Sequence, residues 1–147
     1  MTELPILLIG EAPSSGAPGY AHPLMGAIGY RLAELAGLTL AEYTARTERT
    51  NLLPAYPGVV WPSSRAKPAA ERLAPALRGR RVILLGQHVA RAFGWRRPFF
   101  VWVPQEEGGA IAAIPHPSSR NLWWNDPEHR AAARRFLRAA FGTEDET

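Results

Sequence analysis

Three short polar segments of this sequence carry side chains that could take part in catalysis. Glu11 follows Gly10 in the first segment, Asn51 precedes two leucines in the second, and His116 stands between two prolines in the third. A carboxylate only accepts hydrogen bonds, an amide accepts and donates them, and an imidazole does either and also exchanges a proton. A proline follows each of these side chains within three residues, which stiffens the loop that holds it.

Each segment also has a purely structural interpretation. Glu11 can serve as a cap after a strand, and Asn51 can satisfy its own backbone at a strand end. The same alternative stays open for the imidazole of His116 in its stiffened loop. The functional interpretation gains weight only if the three side chains meet at one place, and that depends on the elements that carry them.

The hydrophobic pattern predicts elements that bring the segments together. Continuous apolar runs are typical of strands buried on both faces, and each polar segment begins near the end of a predicted strand or directly after it. Strands are predicted at residues 4–9, 47–53, 81–85, 99–103 and 110–114. Helices are predicted at residues 24–36, 64–77 (with Pro75 bending or ending the helix), 87–93 and 127–141.

Because strands alternate with helices, we expect an α/β fold. The predicted architecture is a three-layer α/β/α sandwich around a mostly parallel, four-stranded central sheet. Ligands of such sheets bind outside the carboxyl ends of the strands, where the three polar segments would share one crevice. We expect a single domain over residues 1–142 and a frayed acidic tail over residues 143–147.

The amino-acid composition restricts the classes of function that this protein can have. The 147 residues include no cysteine, which excludes disulfides, thiolate metal sites and cysteine-held iron–sulfur clusters. No apolar run has the roughly 20 residues that a membrane span needs, and the start of the chain has no signal-peptide pattern, so we expect a cytoplasmic protein. The net charge is +4, and all basic residues except Lys67 are arginines, which suits nucleic acid but is equally explained by codon usage. Nucleotide-binding P-loop, dinucleotide, zinc-protease and serine-elbow motifs are missing from the sequence.

Together, the three segments resemble motifs of the uracil-DNA glycosylase superfamily. G-E-A-P at residues 10–13 is similar to the G-E-[AG]-P-G motif of the thermostable, iron–sulfur branch. H-P-S-S-R-N at residues 116–121 resembles the H-P-S-P-R-N motif of the single-strand-selective monofunctional branch, and Asn51 matches a strand-end asparagine that reads uracil. The chain departs from the first branch in having no cysteines, and Leu24 stands where that branch has a phenylalanine that stacks on uracil.

The resemblance implies a hydrolase that flips uracil or a related deaminated base out of DNA and cleaves its N-glycosidic bond, as in base excision repair. Glu11 would position or activate the attacking water, and His116 would stabilise the departing base anion. The base would be held by Ala12, Leu24 and Asn51, with Tyr20 as the stacking ring. DNA contacts would come from Ser118, Ser119, Arg120, Asn121 and Trp123.

Several expectations accompany this function. Strand-cutting glycosylases commonly use a lysine amine, and Lys67 lies outside the motif loops, so we expect a monofunctional enzyme that leaves an abasic site. We expect a monomer that acts on DNA, without cofactor, metal or membrane. Two other functions stay open: a catalytically weak or inactive DNA-binding module of the same fold, and a hydrolase of free nucleosides or nucleotides. On the last helix, Arg130, Arg134 and Arg138 share a face that could follow a phosphate backbone or simply be solvated.

Overall fold

The computed structural model describes residues 4–13, 24–118 and 121–143, and a five-stranded sheet runs through its centre. In chain order the strands are β1 (Ile6–Gly10), β2 (Thr47–Asn51), β3 (Arg81–Leu85), β4 (Val103–Pro104) and β5 (Ala110–Ile114). Across the sheet the order is β2-β1-β3-β5-β4. The first four strands in that order are parallel, and β4 is an antiparallel edge strand of two residues.

Helices cover both faces of this sheet, as the sequence predicts. They are α1 (Gly26–Ala36), α2 (Leu40–Arg46), α3 (Ser63–Leu73), α4 (Gln87–Ala92) and α5 (Pro127–Phe141). Ile6 and Leu8 of β1 pack with α1 and α5 in one apolar cluster, whereas Leu7 and Ile9 pack with α3 and α4 in the other. Successive side chains of a strand point to opposite faces, so a continuously apolar strand supplies both clusters. The prediction of three α/β/α layers and a mostly parallel sheet is confirmed, but the sheet has five strands rather than four, because β4 pairs with β5 as an antiparallel edge strand.

Local signals explain where most elements end. Pro75 cannot donate a backbone hydrogen bond, and α3 ends before it, at Leu73, where a short 3₁₀ helix follows. The Asp126 side chain accepts from the Glu128 amide at the start of α5, and Gly142 closes that helix in the left-handed conformation.

Two predictions about local structure were wrong. Residues 99–103 do not form a strand, because Phe100 has a φ of +65° and sends its ring against Phe136 in the core; only Val103 continues into β4. The sequence analysis also missed α2, which begins at a capping box between Thr39 and Glu42.

No helix in the described ranges is both long enough and apolar enough to cross a bilayer.

Candidate active site

The parallel register places the three polar segments at one edge of the sheet. Gly10 at the end of β1 pairs with Asn51 at the end of β2. On the other side of β1 lies β3, which pairs in turn with β5, so Gly86 and His116 follow strands that end at the same edge. The ladder between β1 and β2 continues past the strands, since the Leu53 amide donates to the Glu11 carbonyl at 2.9 Å. The main chain of Glu11 is therefore fixed beside Asn51.

Gly86 leaves the space in which Glu11 and His116 approach each other. It has φ 97° and ψ 160°, a conformation essentially restricted to glycine. A Cβ atom on Gly86 would lie 3.0 Å from His116 Cβ and 3.4 Å from Glu11 Oε2. Because β3 lies between β1 and β5, any side chain here would stand between the carboxylate and the imidazole.

His116 is held as a neutral hydrogen-bond donor. The amide N–H of Ser118 donates to His116 Nδ1 at 3.1 Å, so the proton of the neutral imidazole resides on Nε2. Burial lowers the pKa of His116 below its ordinary 6.5; the charge of Glu11 opposes this lowering, and that of His88 adds to it. At neutral pH the ring therefore carries one N–H, on Nε2, and no net charge.

The loop after β5 is tied to the short 3₁₀ helix that precedes α5 (Leu122–Asn125) through the carbonyl of His116. This oxygen accepts from Asn121 Nδ2 at 3.0 Å and from the indole of the buried Trp124 at 2.6 Å. The Asn121 Oδ1 in turn accepts from the Trp123 amide at 3.2 Å. Asn121 thus has an intramolecular role that the sequence analysis did not foresee, and its contact with DNA stays a prediction.

Trp123 is also engaged within the protein. Its ring stacks on His129 at 4.2 Å with planes 10° apart, and it meets Trp124 edge-on at 4.8 Å. The side chain is partly exposed and packs against the core under α5. Trp123 therefore packs within the protein, while its contact with DNA stays a prediction.

Asn51 and Leu24 share the space above Gly10. A Cβ on Gly10 would lie 2.8 Å from Asn51 Oδ1 and 2.6 Å from Leu24 Cδ2, so only glycine fits there. Leu24 is buried with a φ of +57°, and its carbonyl accepts from the Tyr43 hydroxyl at 2.8 Å. Burial raises the pKa of Tyr43 to about 12, which keeps that hydroxyl protonated as the donor. Leu24 is therefore an apolar wall beside the Asn51 amide.

Two residues at this edge were missed by the sequence analysis. His88 Nδ1 lies 3.2 Å from Glu11 Oε2, and the His88 ring stacks on Trp61 at 4.9 Å with planes 9° apart. His88 comes two residues after Gly86 at the carboxyl end of β3, and that position was the available signal. No motif spacing marked Trp61, which reaches the site from the loop between β2 and α3.

Of the remaining predicted site residues, the structure describes two. Ala12 packs against the cluster under α3 and α4, and Ser118 supplies the amide that fixes the His116 tautomer. Tyr20, Ser119 and Arg120 lie outside the described residues.

The arginines of α5 make contacts inside the protein. Arg130 donates to the Trp124 carbonyl at 2.6 Å, and Arg134 pairs with Glu34 of α1 at 2.9 Å. These contacts join α5 to α1 and to the loop that carries His116. Two of the three arginines on the proposed phosphate-facing side thus hold the helix in place.

The donor set does not suit an iron–sulfur cluster, since the chain has no cysteine thiolate to ligate iron. Within residues 4–13, 24–118 and 121–143, no three His, Asp or Glu side chains are grouped as a metal site would require. The chemistry of the site is therefore derived from its carboxylate, amide and imidazole groups.

A family model described as the uracil DNA glycosylase superfamily matches residues 1–138, which is nearly the whole chain. A search of curated proteins found no match.

Proposed function

This chain belongs to the uracil-DNA glycosylase superfamily, and from that premise we propose that it is a monofunctional glycosylase that removes uracil or a related deaminated base from DNA. Family membership supports a DNA glycosylase-like function and DNA as the partner. The observation that carries the finer proposal is the approach of Glu11 and His116 to one point above Gly86, with Asn51 one strand away.

The proposed reaction needs a water, a leaving base and two protein groups on opposite sides of the scissile bond. The water oxygen bonds to the sugar C1′ while the bond from C1′ to the base nitrogen breaks, and the electron pair stays on the base. Glu11 orients the water and takes up its proton, as a general base does. His116 donates its Nε2–H to the carbonyl on which the anion of the departing base develops.

A neutral histidine suits this role because its ring already carries an N–H and can donate a hydrogen bond without first taking up a proton. Its Nδ1 is occupied by the Ser118 amide, so Nε2 is the nitrogen left to face the base. A donor aimed at developing charge is worth about 10²- to 10³-fold in kcat when it is preorganised in this way. Asn51 would meet the pyrimidine edge with its amide, which both donates and accepts.

An apolar loop borders the site and would face the DNA. The loop between β2 and α3 is anchored by the buried Leu52 and Leu53, and Trp61 joins it to His88. At its tip Val59 is 96% and Val60 79% exposed. A base that has been flipped out of the helix leaves apolar surface on its neighbours, and such side chains can cover that surface.

The test is a release assay on oligonucleotides that contain uracil, hypoxanthine or xanthine, in single and double strands. We expect the free base to appear and the abasic strand to stay intact until alkali is added, because Lys67 is exposed on α3, away from the motif loops. His116→Ala should lower kcat about 10²- to 10³-fold, with Asn51→Ala and Glu11→Gln also impaired.

Other outcomes point to other functions. Salt-dependent DNA binding without release of any base would indicate a binding module. Turnover of free nucleosides without affinity for oligonucleotides would indicate a small-molecule hydrolase. Either result would refute the proposal.

A further inference from the structure

An imidazole outside the recognised motifs lies against the proposed general base. His88 Nδ1 is shielded from solvent and makes no aligned hydrogen bond within the described part of the chain. Its distance to Glu11 Oε2 is nevertheless only 3.2 Å. A buried nitrogen without a partner is unfavourable, and the Glu11 carboxylate is an acceptor already within reach.

The carboxylate needs such a partner. The main chain of Glu11 is held by the Leu53 amide, but its side chain still has rotatable bonds before the carboxylate. His116 stands across Gly86, and its Nδ1 is already committed to Ser118. His88 Nδ1, 3.2 Å from Glu11 Oε2, is thus placed to fix the direction of the carboxylate.

Trp61 fixes the orientation of His88 in turn. The two rings are nearly parallel and 4.9 Å apart, so tilting the imidazole would break the stack. Trp61 itself packs against the cluster under α3 and α4. The stack therefore ties the ring whose Nδ1 faces Glu11 to the core of the protein.

We propose that His88 is a positioning residue that orients the Glu11 carboxylate toward the attacking water, with Trp61 holding the imidazole in place. This inference rests on the proposed glycosylase function. Catalytic hydrogen bonds are often poorly aligned in a free enzyme and tighten when substrate binds, so the 3.2 Å contact becomes a direct Nδ1–H to carboxylate bond in the complex. His88 keeps its proton throughout, and the proton of water goes to Glu11.

The experiment compares two substitutions that separate the stack from the hydrogen bond. His88→Phe keeps a ring on Trp61 but removes the N–H, whereas His88→Asn places an amide N–H near the position of Nδ1 without the ring. We expect His88→Phe to lower kcat about 10- to 100-fold, the range that misplacement of a reacting group produces. His88→Asn should recover only part of that loss, because it restores the N–H without the stack on Trp61, and KM should change by less than about twofold in both variants.

A double-substitution cycle shows whether His88 acts through Glu11. In the Glu11→Gln background, His88→Phe should cause no further loss of kcat, because no carboxylate is left to orient. Thermal unfolding checks that each variant is folded. If His88→Phe does not fold, Trp61→Leu takes its place in the cycle, with the same expected loss of kcat and the same dependence on Glu11.

The outcomes separate this inference from the function itself. Release by the wild type with unchanged kcat in His88→Phe would overturn the positioning role and leave the glycosylase intact. The positioning role would also be overturned if the kcat of the double variant fell by the product of the two single losses, because the two residues would then act independently. Absence of release by the wild type would instead overturn the proposed function, and the positioning role with it.

Discussion

Replacing Gly86 with alanine tests the arrangement of the site most directly. Alanine would have to adopt φ 97° and ψ 160°, which strains the backbone by about 1–3 kcal/mol. Its Cβ would also lie 3.0 Å from His116 Cβ, whereas ordinary contacts begin at 3.4 Å. His116 must therefore retreat by about 0.4 Å or more, and Glu11 Oε2, at 3.4 Å, leaves no slack on the other side.

The substitution should lower both the rate of base release and the stability of the fold. A misplacement of about 1 Å can lower a rate about 10²-fold, so we expect Gly86→Ala to reduce kcat for base release by about 10- to 100-fold. The free energy of unfolding in urea should fall by about 1–3 kcal/mol from backbone strain. Single-turnover release is measured well below the unfolding midpoint, so that the rate reports the folded protein alone.

Gly94→Ala is the matched control. Gly94 also has a positive φ, at +73°, but a Cβ there would meet nothing within 4 Å. An alanine at this position should strain the backbone by about 1–2 kcal/mol but displace no catalytic group. A Gly86→Ala protein with wild-type kcat, or a Gly94→Ala protein with an equal loss of kcat, would refute the idea that Gly86 makes room for the catalytic pair.

Three further predictions follow from the same contacts. Burial lowers the pKa of His116 in the folded protein, so the unfolded chain binds this proton at a higher pH than the folded chain does. The free energy of unfolding, measured in urea, should therefore fall as the pH drops below about 6.5, and His116→Gln should remove this part of the pH dependence. Tyr43→Phe should lower the free energy of unfolding by about 1–3 kcal/mol, because it leaves the Leu24 carbonyl without its donor; a cost near zero would contradict the assignment of that bond. Changing Val59 and Val60 together to serine should raise KM for an oligonucleotide without lowering kcat. The control is Leu4→Ser, which should leave KM unchanged because this 65%-exposed side chain lies at the opposite edge of the sheet.

Much of the scaffold was predictable because its signals are local. Continuous apolar runs predicted β1, β3 and β5, and Asp126 with Gly142 marked the ends of α5. The error at residues 99–103 arose because long-range packing overrode a local preference. The rings of Phe100 and Trp102 pack against α5, and that of Phe100 also packs against the loop before it, so hydrophobicity there did not indicate a strand.

The amino-acid sequence by itself determined which chemical groups the site contains. Glu11 and His116 follow apolar strands, Asn51 ends a more polar one, and a parallel sheet gathers strand ends at one edge, so their convergence could be inferred before any coordinates. The missing cysteines likewise excluded an iron–sulfur cluster from composition alone.

Only the tertiary structure decided what those groups touch. The neutral state of His116 depends on burial and on one amide two residues away, and the pairing of His88 with Glu11 depends on β3 lying next to β1. Asn121, the last residue of the motif, and Trp123, just after it, proved to make contacts within the protein that hold their own loop. Strand order, burial and side-chain direction are set by contacts between residues far apart in the chain, and a local pattern of residue types does not contain them.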